Sequence, residues 1–389
     1  MDQEPDCDEA YVCQTCLEYP GLDTFIQRNS ESTSCSYCGS SSDSPIAAPL
    51  VAVIERIIDG ISELYGQADD EGVPYDGREG GYQLPVYGSH EILNEVGLYI
   101  ENDQLRRCVT DNLPDIVWSE RDPFSLRQED SLRYGWRDFC EAVKHDVRYL
   151  MFPPPDDDPN HDEITPSEML DALGQVVNDI APFDALTTIK AIFRARVHDI
   201  ENLPITIAEL GPAPRSVQIH ANRMSAAGIG LFYGAFDVET AIAETVTGRD
   251  AGRYVTIGHF HADSAVVLDL TNLPPIPSIF DDEDKRVRRA GLIFLHDFRE
   301  AIAAPIQRDG REHIEYVPSQ IVTEYLRYRH ELEDGGKLAG IVYPSARHSG
   351  GTCCVLFVQA EELVEQPYGR RAPRVRLHLV SSKCHTRRV

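Results

Sequence analysis

Apolar residues recur at Leu50, Val53, Ile54, Ile57, Ile58, Ile61 and Leu64, a spacing that puts all of them on one face of a helix in the segment opened by Pro45. The Gly-rich stretch Asp69–Gly81 breaks that periodicity and predicts a loop. Helical spacing returns over Ser89–Ile100, Leu105–Leu113 and Leu132–Met151, so residues 46–152 predict a small all-α domain. The run Pro153–Pro159, with three consecutive aspartates, predicts a linker. Thr165-Pro166-Ser167-Glu168 has capping-box spacing with proline in the first turn and predicts a helix to about Ile180, so residues 153–183 are linker and helix. From Leu186 the pattern changes to short β-rich runs (Thr188–Ala195, Ile229–Tyr233, Tyr254–Phe260, Ala265–Leu270, Gly340–Val342, Cys353–Val358) alternating with helical stretches. Asp237 predicts an N-cap for a helix whose Val238, Ala241 and Ile242 face inward; Lys285–Glu300 and Ser319–Leu332 predict two more. Residues 184–389 therefore predict an α+β domain ending in a basic tail.

A chain of 389 residues exceeds what one hydrophobic core organises, and 42% hydrophobic with 26% charged residues excludes a largely disordered chain. The net charge of -28 is split unevenly: residues 1–200 hold 40 acidic against 14 basic residues, and residues 201–389 hold 24 against 22. So acidic a surface repels phosphate backbones and argues against nucleic-acid binding through a broad basic patch. The most apolar stretch, Ile46–Ile61, is interrupted by Glu55, Arg56 and Asp59, and the first residues lack a signal-peptide pattern; no membrane association and a cytoplasmic location are expected.

In a reducing cytosol, clustered cysteines read as metal ligands. Cys13 and Cys16 form one C-x2-C knuckle and Cys35 and Cys38 a second, 18 residues on, which together predict a closed tetrahedral zinc site with no open position for substrate. Residues 1–45 are therefore expected to be a zinc knuckle, followed by a serine-rich linker at Ser40–Ser44, with Cys7 a spare thiol. Cys353 and Cys354 read as strand packing, and His259 and His261 as polar residues on one strand face without a third metal ligand.

Three blocks in the C-terminal half carry chemistry: Phe193-Arg194-Ala195-Arg196; Asn222-Arg223-Met224-Ser225 through Phe232-Tyr233-Gly234-Ala235 to Thr240-Ala241-Ile242-Ala243-Glu244; and Gly340-Ile341-Val342-Tyr343-Pro344-Ser345. An arginine on a Gly-bounded turn, an aromatic at a strand end and a glutamate on the next helix can hold an anionic, ribose-bearing ligand: a guanidinium fork for phosphate oxygens, a ring face, and a carboxylate for ribose hydroxyls or an oxocarbenium-like transition state. These blocks resemble the RES domain family over roughly Ile189–Ala360. The resemblance implies a fold related to ADP-ribosyltransferases and the destruction of NAD+ by hydrolysis or phosphorolysis of the nicotinamide–ribose bond, as toxins of toxin–antitoxin systems do. It implies Glu244, Arg223 and Ser345 as catalytic residues and Arg194, Arg196 and Tyr233 as substrate-binding residues. Arg196 shares strand parity with Arg194, so the two could exchange roles. The resemblance also implies an antitoxin or regulatory protein as partner. Two rival functions are an ADP-ribosyltransferase acting on a macromolecule and a non-catalytic nucleotide-binding sensor.

The preceding region resembles the helical HEPN-like domain found before some RES domains. HEPN ribonucleases carry R-x4-6-H, whereas Arg137 and His145 have seven residues between them, about 12 Å along a helix. RNA cleavage is therefore not expected, and Trp136–Tyr149 reads as a packing helix.

Overall fold

The structure is a computed structural model that describes residues 6–149, 163–180, 183–186, 190–263, 265–304, 310–364 and 375–389. The expected linker Pro153–Pro159 lies outside them. The chain divides into two compact units, Met1–Arg127 with Ile276–Arg289, and Gln128–Pro275 with Ala290–Val389.

In the first unit, Tyr11–Cys13 pairs antiparallel with Ala47–Pro49, which runs directly into helix α1, Leu50–Leu64. Leu50, Val53, Ile54, Ile57 and Ile61 are buried, as their spacing predicts, together with Val12, Leu17, Leu22 and Ile26 from the cysteine-bearing segment. That segment and α1 therefore share one core and are not separate bodies. Ser40–Ser44 is not a free linker: Cys35 N–H donates to Ser40 O, Ser42 N–H donates to Thr33 O, and Ser34 bridges Ser41. The same core receives the distant segment Ile276–Arg289 through Phe280, whose ring lies so close to α1 that a Cβ on Gly60 would come within 2.5 Å of it. Helix Ser89–Glu95 is shorter than the spacing suggests, and Asp103–Asp111 starts two residues earlier than expected, capped by the Asn102 side chain on Gln104 and Leu105 N–H. The unit is not all-α, because Tyr65–Gln67 pairs with Trp118–Glu120 and the expected loop contains a tight hairpin, Tyr75–Asp76 with Gly81–Tyr82.

Cys7 is not a spare thiol. It forms a disulfide with Cys108 across a sequence separation of 101 residues. Closing so long a loop removes much of the entropy of the unfolded chain and contributes about 2–5 kcal/mol. Cys7→Ser, or wild type with reductant, should accordingly melt several degrees lower than oxidised wild type, and coincident melting curves would show that the bridge contributes nothing.

The second unit is built on a mixed sheet that curls. Its strands are β1 (Phe183–Leu186), β2 (Ala191–His198), β3 (Phe232–Ala235), β4 (Tyr254–Ala262), β5 (Ala265–Asp269), β6 (Gly340–Pro344), β7 (Thr352–Leu356), β8 (Leu377–Leu379) and β9 (His385–Arg388). Their spatial order is β8-β4-β2-β3-β7-β6-β5-β1, with β9 also on β4. The β5–β6 pair is parallel and the others are antiparallel. Between β2 and β3 the pairing is limited to Phe193 opposite Ala235, so the sheet opens there. The C-terminal segment is no loose basic tail, since β8 and β9 both extend β4.

Alternation along the strands separates two cores. Ala195, Val255, Ile257, Ile341, Cys353 and Val355 face helices α2 (Gln128–Glu141), α3 (Met169–Ile180), α5 (Arg289–Ala303) and α6 (Val317–Tyr328), whereas Ile192, Phe232, Phe260, Val342, Cys354 and Leu356 face the opposite side. Helix α4 (Val238–Thr245) is capped by Asp237, which accepts from Thr240 N–H at 2.7 Å. Where one helix over Lys285–Glu300 is expected, a single turn at Glu283–Arg286 precedes α5. Helix α2 belongs to this unit because Leu132 and Phe139 enter its core, which moves the unit boundary well ahead of the Pro-rich run.

His259 and His261 stand on one face of β4 with rings 4.9 Å apart, and each Nδ1 is buried without a hydrogen-bond partner. Burial, reinforced by His261 and Lys383, holds the His259 imidazole below its ordinary value of 6.5. The folded state therefore keeps His259 neutral where the unfolded chain would protonate it, and stability present above pH 6.5 is lost as the pH falls toward the folded value. The melting temperature of His259→Gln should fall less than that of wild type between pH 7 and 5; parallel pH profiles would contradict this.

Candidate active site

A cavity of about 870 Å³ lies where β2 and β3 part, lined by residues of β2, β3, α4, β6 and the loops that follow them. That volume is in the range of sites that enclose a cofactor-sized ligand. Arg194 from the first sequence block and Arg223, Tyr233 and Glu244 from the second all line it.

Arg194 leaves β2 at the opening of the sheet, and its Nη1 donates to Tyr233 O at 2.7 Å. It thereby replaces ladder hydrogen bonds that the diverging strands no longer make. Its guanidinium carbon lies 5.5 Å from the Phe232 ring centre. Burial brings its pKa down to about 10, which leaves it charged at neutral pH. Arg223 donates from Nη1 to Ile302 O and sits over the Tyr316 ring. The turn that carries it is fastened by Gln320 Nε2, which donates to Asn222 O at 2.8 Å, and by Ser319 Oγ, which donates to Arg223 O. Tyr233 is fixed by its hydroxyl, which accepts from Met224 N–H at 3.2 Å and lies 3.1 Å from Ser225 Oγ. Burial pushes that phenol up to about 12, so it stays neutral.

Glu244 is in the last turn of α4, half-buried, and Ser345 Oγ donates to its Oε1 at 2.5 Å. Ser345 follows β6, and its Oγ also accepts from the backbone N–H groups of Arg347 and His348 at 3.2 and 3.0 Å. With those N–H groups occupying the oxygen's lone pairs, the hydroxyl proton is aimed at the carboxylate. The structure thus brings Glu244 and Ser345 together across about a hundred residues of sequence. It takes Arg196 elsewhere: the side chain is exposed, bonded to Glu209 O and paired with Glu209 Oε2 at 2.5 Å, and it does not line the cavity. Strand parity puts both arginines on one side of β2, but only Arg194 stands at the gap beside β3.

Tyr343, Cys353 and Arg347 were not read from the sequence as site residues, Cys353 being assigned to strand packing, yet all three line the cavity. Tyr343 and Cys353 face each other across the β6–β7 register and line the wall next to Glu244. Burial raises the Tyr343 phenol well above its ordinary value and likewise raises the Cys353 thiol, so both are neutral. Arg347 also lines the cavity and donates from Nη1 to the carbonyls of Ala243 and Glu244, at 3.2 and 3.1 Å. The signal for Arg347 was its place two residues after Ser345; periodicity carried none.

Arg194, Arg223 and Arg347 have one property in common: each is held by backbone carbonyls, and none has a carboxylate partner among the described residues. In a chain with 64 acidic residues, three guanidiniums around one cavity therefore retain their charge for a ligand.

In the first unit, the sulfurs of Cys13, Cys16, Cys35 and Cys38 all lie within 4.8 Å of one another. Three of the separations are 3.6, 3.7 and 3.8 Å. A tetrahedron with metal–sulfur bonds of about 2.3 Å has sulfurs about 3.8 Å apart, so the four thiols fit a zinc ion. Burial raises the Cys13 and Cys16 thiols, while hydrogen bonding to Ser40 brings Cys38 down to about 6.

The pair Arg137 and His145 forms no joint site. Arg137 Nε is on Asp138 at 3.1 Å, and His145, in the π-helical turn Ala142–Asp146, lies 3.9 Å from Glu141.

The family described as HEPN/RES N-terminal domain 1 matches residues 28–157, and the family described as RES domain matches residues 191–379. No curated protein matches the chain. Among solved structures, the crystal structure of the M. tuberculosis MbcT-MbcA toxin-antitoxin complex has a chain similar over 56% of this chain and 91% of that one, at 12% identity and a TM-score of 0.28.

Proposed function

The chain carries a RES domain behind an HEPN/RES N-terminal domain, and on that premise we propose that it cleaves the nicotinamide–ribose bond of NAD+. The observation that supports this reading best is Glu244, bonded by Ser345 and lining a cavity whose three guanidiniums have no carboxylate partner among the described residues. Arg194 and Arg223 hold the pyrophosphate, and their fixed positions orient the dinucleotide. Tyr233 and Tyr343, both neutral, form apolar walls for the rings.

The bond electrons leave with nicotinamide, which neutralises its ring nitrogen, and positive charge develops on the ribose. Glu244 stabilises that charge. Ser345 occupies Oε1, which leaves Oε2 to face the ribose and prevents the carboxylate from turning away. Ser345→Ala should then lower nicotinamide release about tenfold with little change in the Michaelis constant, the loss of one charge-assisted hydrogen bond. Unchanged turnover would remove Ser345 from the mechanism.

An enzyme that destroys NAD+ depletes its own host, so a toxin or defence effector restrained by a partner protein is the setting that follows from the reading. NAD+ is an intracellular substrate, and among the described residues no helix is long and apolar enough to cross a membrane. The Cys13–Cys16–Cys35–Cys38 cluster holds a structural zinc, which supplies cohesion to the first unit and takes no part in the reaction.

The reading is tested with NAD+ labelled on the adenosine. Label recovered only in small molecules, with free nicotinamide, supports degradation. Label carried onto protein or nucleic acid would replace it with an ADP-ribosyltransferase, and binding without turnover would replace it with a sensor.

A further inference from the structure

The turn that presents Arg223 is held from behind by residues that do not reach the cavity. Asn222 and Ser225 close it by exchanging backbone hydrogen bonds, Asn222 N–H to Ser225 O at 2.8 Å and Ser225 N–H to Asn222 O at 3.2 Å, which leaves Arg223 and Met224 at its tip. The buried Gln320 side chain donates from Nε2 to both closing carbonyls, Asn222 O at 2.8 Å and Ser225 O at 3.3 Å. One amide group thus spans the base of the turn, with a proton for each carbonyl. Ser319 Oγ donates to the carbonyl of Arg223 itself, and the Tyr316 ring centre lies 5.7 Å from the guanidinium carbon. Tyr316, Ser319 and Gln320 stand at i, i+3 and i+4 where α6 begins, so they share one helix face. On its other side the turn is tied to β3, because Met224 N–H donates to the Tyr233 hydroxyl. Of the three helix residues Tyr316 lines the cavity, whereas Ser319 and Gln320 do not.

We infer that Gln320 is a positioning residue for the pyrophosphate of the ligand, a group it does not touch: it sets the place of Arg223 by locking the Asn222–Ser225 turn to α6. A guanidinium matches two phosphate oxygens only along its planar fork, so a small displacement of the turn that carries it forfeits the bidentate fit. The residue type follows from the two carbonyls that face one point. A carboxylate there would meet the lone pairs of both, and an aliphatic side chain would take the second donor from each. Each carbonyl would still keep its partner within the turn, so the turn itself would persist while its tie to α6 is lost. The inference rests on the proposed function for the pyrophosphate as the group that Arg223 grips.

The test is calorimetric titration of the full-length chain with ADP-ribose, beside NAD+ turnover by wild type. The proteins are wild type, Arg223→Ala, and Gln320→Met and Ser319→Ala, each alone and combined with Arg223→Ala. Arg223→Ala should weaken ADP-ribose binding about tenfold or more and Gln320→Met about fivefold or more, while the combined variant should bind within about twofold of Arg223→Ala alone. A residue that acts through Arg223 has nothing left to position once the guanidinium is gone, whereas one that merely supports the fold multiplies its loss onto that of Arg223→Ala. Binding by Gln320→Met within about twofold of wild type, or losses that multiply, would overturn the inference and leave Arg223 its part in the proposed function. Should Gln320→Met fail to fold, Ser319→Ala completes the same cycle, with the same outcomes deciding. Wild type that does not bind ADP-ribose, or binding indifferent to Arg223, would remove the pyrophosphate grip from the proposed function and the inference with it. The expected cycle in a wild type that leaves NAD+ intact would keep the positioning role and remove the reaction.

Discussion

Replacing Glu244 with alanine should lower NAD+ turnover by about two to three orders of magnitude, the loss measured when a fixed electrostatic partner of a transition state is removed. The size follows from the setting. The carboxylate is half-buried, held by Ser345 at 2.5 Å, and stands in a cavity whose other ionised groups are cationic. Those cations favour the pyrophosphate but oppose positive charge on the ribose, so Glu244 is the group that offsets them at the reacting carbon. Glu244→Gln isolates the charge from the shape, because the amide oxygen can still accept from Ser345; it should be nearly as inactive as the alanine variant. Neither substitution removes a core side chain, and both should melt within a few degrees of wild type. Nicotinamide release within tenfold of wild type in Glu244→Gln would mean that the carboxylate does not stabilise the transition state.

The second large effect concerns the first unit. Cys16→Ser, or exhaustive chelation, should destabilise it by at least about 4 kcal/mol, which lowers its melting temperature by about 10 °C, because metal binding to a four-thiolate site contributes about 10–16 kcal/mol in small zinc domains. The reason the loss spreads is that the cysteine-bearing segment shares its core with α1 through Val12, Leu17, Leu22 and Ile26. Without the ion, Cys13 and Cys16, whose ionisation is opposed by desolvation, lie at van der Waals distance from Cys38 and Cys35, with only weak thiol hydrogen bonds between them. Native mass spectrometry should find one zinc per chain, lost in Cys16→Ser. A folded chain with no metal and an unchanged melting curve after chelation would contradict the assignment.

The residues that were legible in the sequence are those whose neighbours in space are set by local geometry. Helix α1 was legible because burial on one side of a helix repeats every three or four residues, and the inner strands because both their faces are apolar. Strands β8 and β9 were hidden: His385–Arg388 is polar and exposed on both faces, and only its hydrogen bonds to β4 make it a strand. The union of the knuckle, α1 and the segment around Phe280 was hidden for a different reason, since a contact spanning more than two hundred residues leaves no period. Cys7 was misread because a lone cysteine points to no partner until Cys108 is brought beside it.

In the site, family motifs identified Glu244, Ser345, Arg223, Arg194 and Tyr233, and the fold places four of them around the cavity with Ser345 on Glu244. Arg196 shows the limit of strand parity, which assigns a face but not the point along the strand where the sheet opens. Arg347 and Tyr343 needed the structure, because what distinguishes them is the carbonyls, the register and the empty space they meet.

The most direct test of the central claim is nicotinamide release from NAD+ by the purified full-length protein, measured chromatographically beside Glu244→Gln. Wild type should consume NAD+ with stoichiometric release of nicotinamide, and the variant should release it at least about a hundredfold more slowly. Equal rates in the two proteins, or NAD+ that stays intact with wild type, would contradict it.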